Sequence, residues 1–491
     1  MTNKQNDYKK SHSKSQSPKS DPIKNPRSLF LISIGIICSL YIIFHACISE
    51  MVIAHDAEGY EQSGQTLLNH GLIEYIKAGP NREPLYPLSI AASMFLAKKL
   101  TVSYQTIQII FQLLIFSLTL ILTLKILKKL KVSDPISGFV ILYMTFSPAF
   151  FNTSVCLFSE ILTYPFILIF ILMLFKAIIY FQQNKYAVKE TIILGTLLGL
   201  SFTSLIFIKA LFEVLLPFFL IPFALYLFSA FKKKDRNLCK HTAIFLLIFI
   251  TIPLGTANIY KSLNKKLNGQ FVLADRGPLQ LYGNITQRME PLTFPRLKAR
   301  FASLIPSSKF CQSLCGKDDC MSWSWLTADN YSAHKVDELI KGSTNEQINK
   351  TLTKLAFEKI MNNPIQFLFL SLIETSKFFF WENPSMQYVF YPTLVVKMIS
   401  FKPINKLLYI VPPILFMINF LFTMIFLIKN TQTSEETTLL KLIVLFIAAF
   451  LFGYSLVNIL PRYILPLVPL QMILLGFMFE KMKNRLGSCY K

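Results

Sequence analysis

Ten runs of mostly apolar residues divide this chain, and each is about as long as a membrane-crossing helix. A helix needs roughly 20 apolar residues to cross a hydrocarbon core about 30 Å thick. The predicted spans are 29–49, 104–127, 135–151, 161–181, 191–208, 211–231, 242–260, 406–428, 439–459 and 463–479. Two shorter apolar segments, 85–97 and 364–381, are typical of helices that lie in the interface or re-enter the bilayer. The sequence therefore predicts an α-helical polytopic membrane protein with about 10 to 13 transmembrane helices.

Composition and charge agree with this fold class. Charged residues make up 16% of the 491 residues, against about 25% in soluble proteins. The net charge of +23 comes largely from Lys and Arg in alternate loops, such as 125–131 and 232–240. Because these residues stay on the cytoplasmic side, we expect cytoplasmic N- and C-termini in a plasma membrane, a bacterial inner membrane being favoured. The chain has no nucleic-acid motif, so the expected partners of this charge are membrane lipids.

Two long loops fall on the opposite, extracytoplasmic side, which we call the outer side. The predicted units are a disordered cytoplasmic tail at 1–27, an N-terminal membrane module at 28–260 with a first outer loop at 50–103, a soluble outer domain at 261–363, C-terminal interfacial and transmembrane helices at 364–481, and a cytoplasmic tail at 482–491. The end of the outer domain predicts an amphipathic helix over 343–361, capped by Thr344 or Asn345.

Three cysteines of the outer domain, Cys311, Cys315 and Cys320, lie close together in sequence. Two of them could pair if the domain is extracytoplasmic, because disulfides persist in oxidising compartments. Three thiols without a nearby His do not make a convincing zinc site. We therefore leave open a loop disulfide and three free thiols.

Isolated charges recur where the apolar segments reach the outer side. They are Asp56, Glu58, Arg82, Glu160, Lys209 and Arg462. Charged groups at such positions favour a functional site for an anionic ligand and a polar acceptor. Asp56 and Glu58 would diverge on a helix but share a face on an extended segment.

These charged residues could also have purely structural roles. The two acids could be ordinary solvated loop residues, Arg82 could anchor the chain to lipid phosphates, and Lys209 could simply pair with Glu213.

The order of these residues resembles the GT-C glycosyltransferases, especially the bacterial aminoarabinose transferase and protein O-mannosyltransferase group. The resemblance lies in DAEGY at 56–60 and REPLYP at 82–87, in SE at 159–160, in GPLQLYGN at 277–284 and in RYILP at 462–466. It implies a mixed α/β extracytoplasmic domain and a catalytic N-terminal module. It also implies transfer of a sugar from a polyprenyl-phosphate donor to an acceptor glycolipid, glycan or protein, with inversion.

The resemblance also implies roles for individual residues. Asp56 is expected to be the base, and Glu58 and Glu160 to orient the acceptor or a divalent metal. No cofactor is certain, and a divalent metal is possible. The donor phosphate is expected to be held by Arg82, Lys209 and Arg462, and the substrate to be contacted by Tyr60, Tyr86 and Tyr463.

Two other functions remain open at this point. A transporter or flippase of a lipid-linked sugar would share the spans and the outer cations, although inverted repeats with broken helices are not evident in the sequence. A polysaccharide polymerase or ligase of another fold would normally use a histidine in a large late loop, and only His334 is present in 261–363.

Overall fold

The computed structural model describes residues 26–79, 82–183, 186–305, 308–340, 342–381, 388–399, 401–430, 434–456 and 460–489. The predicted tail at 1–27 lies outside this part of the chain, apart from its last two residues, which begin the first helix. The predicted C-terminal tail at 482–491 is described up to residue 489, where it continues the last helix.

Helices make up nearly all of the described regular structure. The first ten are α1 Pro26–Ile48, α2 Asp56–Lys77, α3 Leu85–Leu100, α4 Tyr104–Lys129, α5 Asp134–Phe146, α6 Pro148–Asn152, α7 Glu160–Gln182, α8 Val188–Ile208, α9 Leu211–Lys233 and α10 Arg236–Asn268. The next six are α11 Arg276–Met289, α12 Phe294–Ala302, α13 Ser308–Cys315, α14 Lys317–Met321, α15 Trp325–Leu339 and α16 Asn345–Asn362. The last six are α17 Pro364–Ser376, α18 Thr393–Ile399, α19 Lys402–Lys429, α20 Glu435–Ser455, α21 Pro461–Ile464 and α22 Val468–Cys489. A short 3-10 turn at Lys377–Phe379 follows α17, and another at Leu465–Leu467 lies between α21 and α22.

Nine helices within the described residues are long and apolar enough to cross a membrane. They correspond to nine of the ten predicted spans and confirm an α-helical polytopic membrane protein. The tenth predicted span, 135–151, is broken into α5 and α6 at Ser147, whose backbone is extended. Pro148 disfavours a helical conformation in the residue before it, and α5 alone has 13 residues, or about 20 Å at 1.5 Å per residue.

The most buried of the nine candidate spans are α7 and the last one, which contains α22. Most of α7 is buried, whereas the peripheral helices turn Leu114 and Leu225 outward, each 64% exposed. Exposed apolar side chains in the middle of such helices are stable in lipid, where they face hydrocarbon instead of water. Hydropathy alone does not say which spans are central, and the structure shows that α7 and the span containing α22 are the most buried.

The predicted mixed α/β outer domain is not found. The described residues of 261–363 contain helices only, α11 to α16 after the end of α10. The two strands found in the described structure, β1 Glu50–Met51 and β2 Val389–Phe390, lie outside this region and pair antiparallel. The physical reason is the spacing of apolar residues, which in α16 places Ile348, Leu352 and Ala356 on one buried face at helical intervals.

The structure also shows the N-cap of α16 and the pairing of the cysteines in the outer region. Thr344 is the N-cap of α16, with a capping box completed by Gln347, as the sequence allows. Cys311 and Cys320 form a disulfide, and Cys315 is a free thiol. The disulfide lies in a small apolar cluster with Trp323, Leu370 and Ile373, through which this region packs on α17.

Candidate functional site

Asp56 occupies the first position of α2, directly after a strained residue. His55 has a φ of 51° and a ψ of −114°, and a non-glycine residue rarely adopts a positive φ. The chain reaches this turn from β1. Directly after that strand, Val52 N donates a hydrogen bond to the Tyr388 carbonyl. The N-terminus of α2 also favours a negative charge at Asp56. The carboxylate is therefore fixed in place by backbone elements on both sides.

Two guanidinium groups hold the Asp56 carboxylate. Arg82 Nη2 donates to Oδ1 at 2.7 Å, and Arg462 Nη2 donates to Oδ2. A third, Arg276 from the start of α11, reaches Oδ1 at 3.4 Å. Burial alone would raise the pKa of Asp56, but the charges and hydrogen bonds of Arg462 and Arg82 hold it well below its usual range. Asp56 is thus ionised, and both of its oxygens are occupied by cations.

Glu160 and Lys209 form a second ion pair in the same region. Lys209 Nζ lies 2.9 Å from Glu160 Oε1, and the Glu160 side chain is only 3% exposed. Burial alone would lower the pKa of Lys209, but the adjacent Glu160 carboxylate holds it well above its usual range. Glu83 Oε1 accepts a hydrogen bond from Ala210 N at 2.7 Å, so the loop that carries Arg82 also fixes the turn that carries Lys209.

Aromatic rings connect the two ion pairs. The Arg82 guanidinium carbon lies 4.5 Å from the centroid of the Tyr60 ring, and Lys209 Nζ lies 5.3 Å from that of Tyr463. The Arg462 guanidinium carbon also lies 5.1 Å from the Tyr463 ring. Cation–π contacts of this kind stabilise desolvated cations. We call Asp56, Arg82, Glu160, Lys209 and Arg462 the central ionic cluster.

The three predicted substrate-contacting tyrosines differ in access. Tyr463 is partly exposed, Tyr60 is 5% exposed and Tyr86 is fully buried. Tyr60 Oη lies 2.9 Å from Ser159 Oγ, and Tyr86 Oη donates to Gln112 Oε1 at 2.7 Å. Tyr86 therefore supports the Tyr60 ring, against which it packs edge-on at 5.0 Å, and does not face open space.

The structure does not bring Glu58 into the central ionic cluster. Asp56 and Glu58 both lie on α2, where residues two apart point about 200° away from each other around the axis. Glu58 is exposed. The suggested Lys209–Glu213 pair is also not formed, because Glu213 pairs with Lys261 and Lys209 with Glu160.

Sequence reasoning missed Arg276 and Glu83 as members of the site. Arg276 immediately precedes the GPLQLYGN segment, whereas Glu83 is the second residue of the REPLYP segment. Neither contact could be deduced, since Arg276 lies 220 positions from Asp56 and Glu83 lies 127 from Ala210.

Two buried nitrogens of the cluster have no hydrogen-bond partner within the described part of the chain. They are Arg82 Nε and Arg462 Nε. A buried N–H without an acceptor is unfavourable by about 1–3 kcal/mol. Both guanidinium groups therefore retain capacity for a further acceptor, such as a phosphate oxygen.

An apolar groove begins beside Arg82. It has a volume of about 500 Å³ and runs between α2, α3, α8 and α10. Pro84, Leu85, Leu88, Phe207 and Tyr260 are among its lining residues. Pro84 in its wall is two residues from Arg82, so the groove and the central ionic cluster are connected along the chain.

Within the described residues, no group of three or more His, Cys, Asp or Glu side chains is placed to hold a metal ion. Metal dependence stays a prediction of the resemblance. In comparisons with known proteins, no family model matches this chain and no curated protein matches it significantly.

Proposed function

We propose that this protein is a membrane glycosyltransferase that moves a sugar from a polyprenyl-phosphate donor to a hydroxyl-bearing acceptor on the outer side. The observation that carries the proposal is the pairing of the Asp56 carboxylate with Arg82 and Arg462, which come from loops far apart in the chain. A transfer of this kind needs a carboxylate near the acceptor and cations near the departing phosphate. The central ionic cluster contains both.

The donor would be recognised by its two unlike parts. Its phosphate would accept hydrogen bonds from Arg82 and Arg462, including their buried Nε–H groups. Its isoprenoid chain would lie in the apolar groove that starts at Pro84, where burial is favourable by about 25 cal/mol per Å² of apolar surface. The short connection along the chain between Arg82 and the groove residue Pro84 supports a lipid phosphate over a soluble one.

Donor binding would also raise the pKa of Asp56. In the structure, both carboxylate oxygens accept hydrogen bonds from guanidinium groups, and such a carboxylate is a poor base. A donor phosphate that draws Arg82 and Arg462 to itself would leave Asp56 with fewer cationic partners and a higher pKa. The base would thus become competent only when the donor is present.

The reaction then follows from these positions. The acceptor oxygen attacks the anomeric carbon, the bond from that carbon to the phosphate oxygen breaks, and the acceptor proton passes to Asp56. The leaving polyprenyl phosphate is stabilised by Arg82, Arg462 and Lys209. Glu160, held by Lys209, would orient the acceptor hydroxyl.

The test is genetic and chemical. Envelope lipids and glycans are compared by mass spectrometry in cells lacking the gene, and in cells complemented with the wild-type chain, Asp56→Asn, Arg82→Gln or Glu58→Gln. We expect one sugar to disappear, and to return with wild type and with Glu58→Gln, since Glu58 is exposed outside the cluster. Unchanged lipids and glycans after deletion, or full restoration by Asp56→Asn, would contradict the proposal. A lipid-linked sugar that accumulates only in the inner leaflet would indicate a flippase instead.

A further inference from the structure

A second cavity lies between the outer helices and the 3-10 turn that follows α17. It has a volume of about 230 Å³. Its polar lining includes Ser303, Gln312, Ser324 and Lys377. A cationic side chain in the wall of a small cavity with hydroxyl and amide groups is suited to an anionic ligand.

Lys377 belongs to a buried group of charges. Lys377 Nζ lies 2.8 Å from Glu374 Oε1, and Arg300 pairs with the same carboxylate. Arg288, 2% exposed, donates to Ser371 Oγ at 3.2 Å from the same side of α17. We call Arg288, Arg300, Glu374 and Lys377 the basic cluster.

The basic cluster contains three cationic groups and one carboxylate. Burial lowers the pKa of Lys377 well below its usual range, and the charges of Arg300 and Arg288 lower it further. Burial likewise lowers the pKa of Arg300 to about 9. An anion in the adjoining cavity would oppose both effects at Lys377, since an opposite charge within about 4–6 Å favours the charged form.

This cavity is connected to the central ionic cluster through α21. Leu460 lines the cavity, and Arg462, two residues later, donates to Asp56. The turn Lys377–Phe379 packs against α21. A molecule anchored at Lys377 would therefore lie next to the helix that carries one cation of the proposed transfer site.

We propose that the Lys377 cavity is a second anion-binding site, which holds the phosphate group of the acceptor. That the ligand is the acceptor rests on the proposed function, whereas anion binding does not. The phosphate could be carried by a lipid headgroup or by a soluble sugar phosphate, and the cavity recognises the chemistry common to both. The acceptor class would then be a phosphorylated glycan or glycolipid.

The test measures binding to the full chain in nanodiscs of neutral phosphatidylcholine. Two probes are used separately, glucose 1-phosphate as the soluble source and dihexanoylphosphatidic acid as the lipid source. The variants are Lys377→Gln, Arg82→Gln to remove a cation of the central ionic cluster, and Lys309→Gln as the matched control. Lys309 is exposed on α13, beside the cavity wall but outside the cavity lining.

We expect Lys377→Gln to weaken one binding event by about tenfold or more, as for the loss of a charge-assisted hydrogen bond. Arg82→Gln and Lys309→Gln should leave that event unchanged. Gln312→Trp, which fills the cavity without altering charge, should abolish it, and this variant keeps the test valid if Lys377→Gln folds poorly. The probe that binds more tightly identifies the source of the phosphate.

The proposed anion site would be overturned if a folded Lys377→Gln variant bound the probes as wild type does. Equal weakening of probe binding by Lys377→Gln and Lys309→Gln would overturn it as well. Failure of the proposed function is seen separately. If Lys377-dependent binding persists but no sugar transfer depends on Asp56, the anion site stands and its assignment to an acceptor falls.

Discussion

The Asp56 carboxylate lies 2.7 Å from Arg82 Nη2, although 26 positions separate the two residues. The intervening chain contains all of α2 after its first residue, and α3 begins three residues after Arg82, so the first outer loop closes on itself. Arg462, 406 positions from Asp56, donates to the other oxygen of the same carboxylate. The central ionic cluster therefore exists only when the first and last parts of the chain are packed together, and its integrity reports on the whole fold.

Replacement of Asp56 by Asn should strongly slow sugar transfer while leaving the chain folded. A carboxylate that accepts the acceptor proton contributes about 10²- to 10⁴-fold to the rate, so we expect a loss of that size. Asp56→Glu should retain part of the activity, since it keeps the charge. Transfer is measured with polyprenyl-phosphate sugars in membranes, and binding of the donor is measured alongside. Loss of donor binding together with rate in Asp56→Asn would show a structural role instead.

The stability of the protein should depend on pH through Asp56, with a defined sign. The pKa of Asp56 is depressed in the folded chain, so its stabilisation is fully present above the ordinary Asp pKa of about 3.9. It is lost as the pH falls below that value, by about 1.4 kcal/mol per pH unit. Thermal unfolding in detergent is compared for wild type and Asp56→Asn between pH 3 and pH 8. The difference should be constant from pH 6 to 8 and shrink towards pH 3; a difference that grows on acidification would refute the ion-pair assignment.

Gly283 allows α11 and α15 to pack closely. A Cβ at this position would lie 2.1 Å from the Ala328 carbonyl oxygen and 2.4 Å from Ser332 Oγ. Gly283→Ala should therefore destabilise the outer region by about 1–3 kcal/mol. Gly277→Ala on the same helix is the matched control, because nothing lies within 4 Å of its Cβ. Protease resistance of the outer region is the measurement, and equal resistance of the two variants would contradict the close packing.

Much of the membrane fold could be predicted from the sequence because lipid imposes a simple rule. Backbone groups must be satisfied within each span, so a long apolar run becomes a helix, and nine predicted spans coincide with apolar helices in the described residues. The tenth differs because Pro148 breaks it, a signal present in the sequence. The predicted α/β domain came from the resemblance, whereas the local apolar spacing of α16 already indicated a helix.

The site was less predictable, because it depends on helical phase and on long-range contacts. Asp56, Arg82, Glu160, Lys209 and Arg462 were singled out as isolated charges on one side, and the structure brings them together. Glu58 could be placed only by knowing that α2 begins at Asp56. Nothing local to Arg276 indicates that it reaches Asp56.

The Cys311–Cys320 disulfide should stabilise the outer helices. It closes a loop with a sequence separation of 9, and a disulfide that closes a short loop stabilises by about 2–3 kcal/mol. Cys311→Ser should thus lower the unfolding temperature of the outer region, whereas Cys315→Ser, which removes a free thiol, should not. Mass spectrometry of unreduced peptides from cells identifies the pairing. A Cys315–Cys320 bond in the wild-type chain would show that the pairing is different.

Glu160 and Lys209 should be strongly non-additive in a double-mutant cycle. Their side chains are 3% and 14% exposed and their charged atoms lie 2.9 Å apart, so removal of one partner leaves a buried charge and is destabilising by about 3–5 kcal/mol. Glu160→Gln and Lys209→Met should each lower stability by that amount, and the double variant by less than their sum. Lys77→Met with Glu74→Gln is the control pair, since both of these side chains are 49% exposed and such a pair contributes at most about 1 kcal/mol.

Unfolding in mixed micelles measures all four states of each cycle. Additive losses at Glu160 and Lys209 would mean that the two charges do not interact in the membrane-embedded protein, and Lys209 would then be available to bind the donor phosphate without first separating from Glu160.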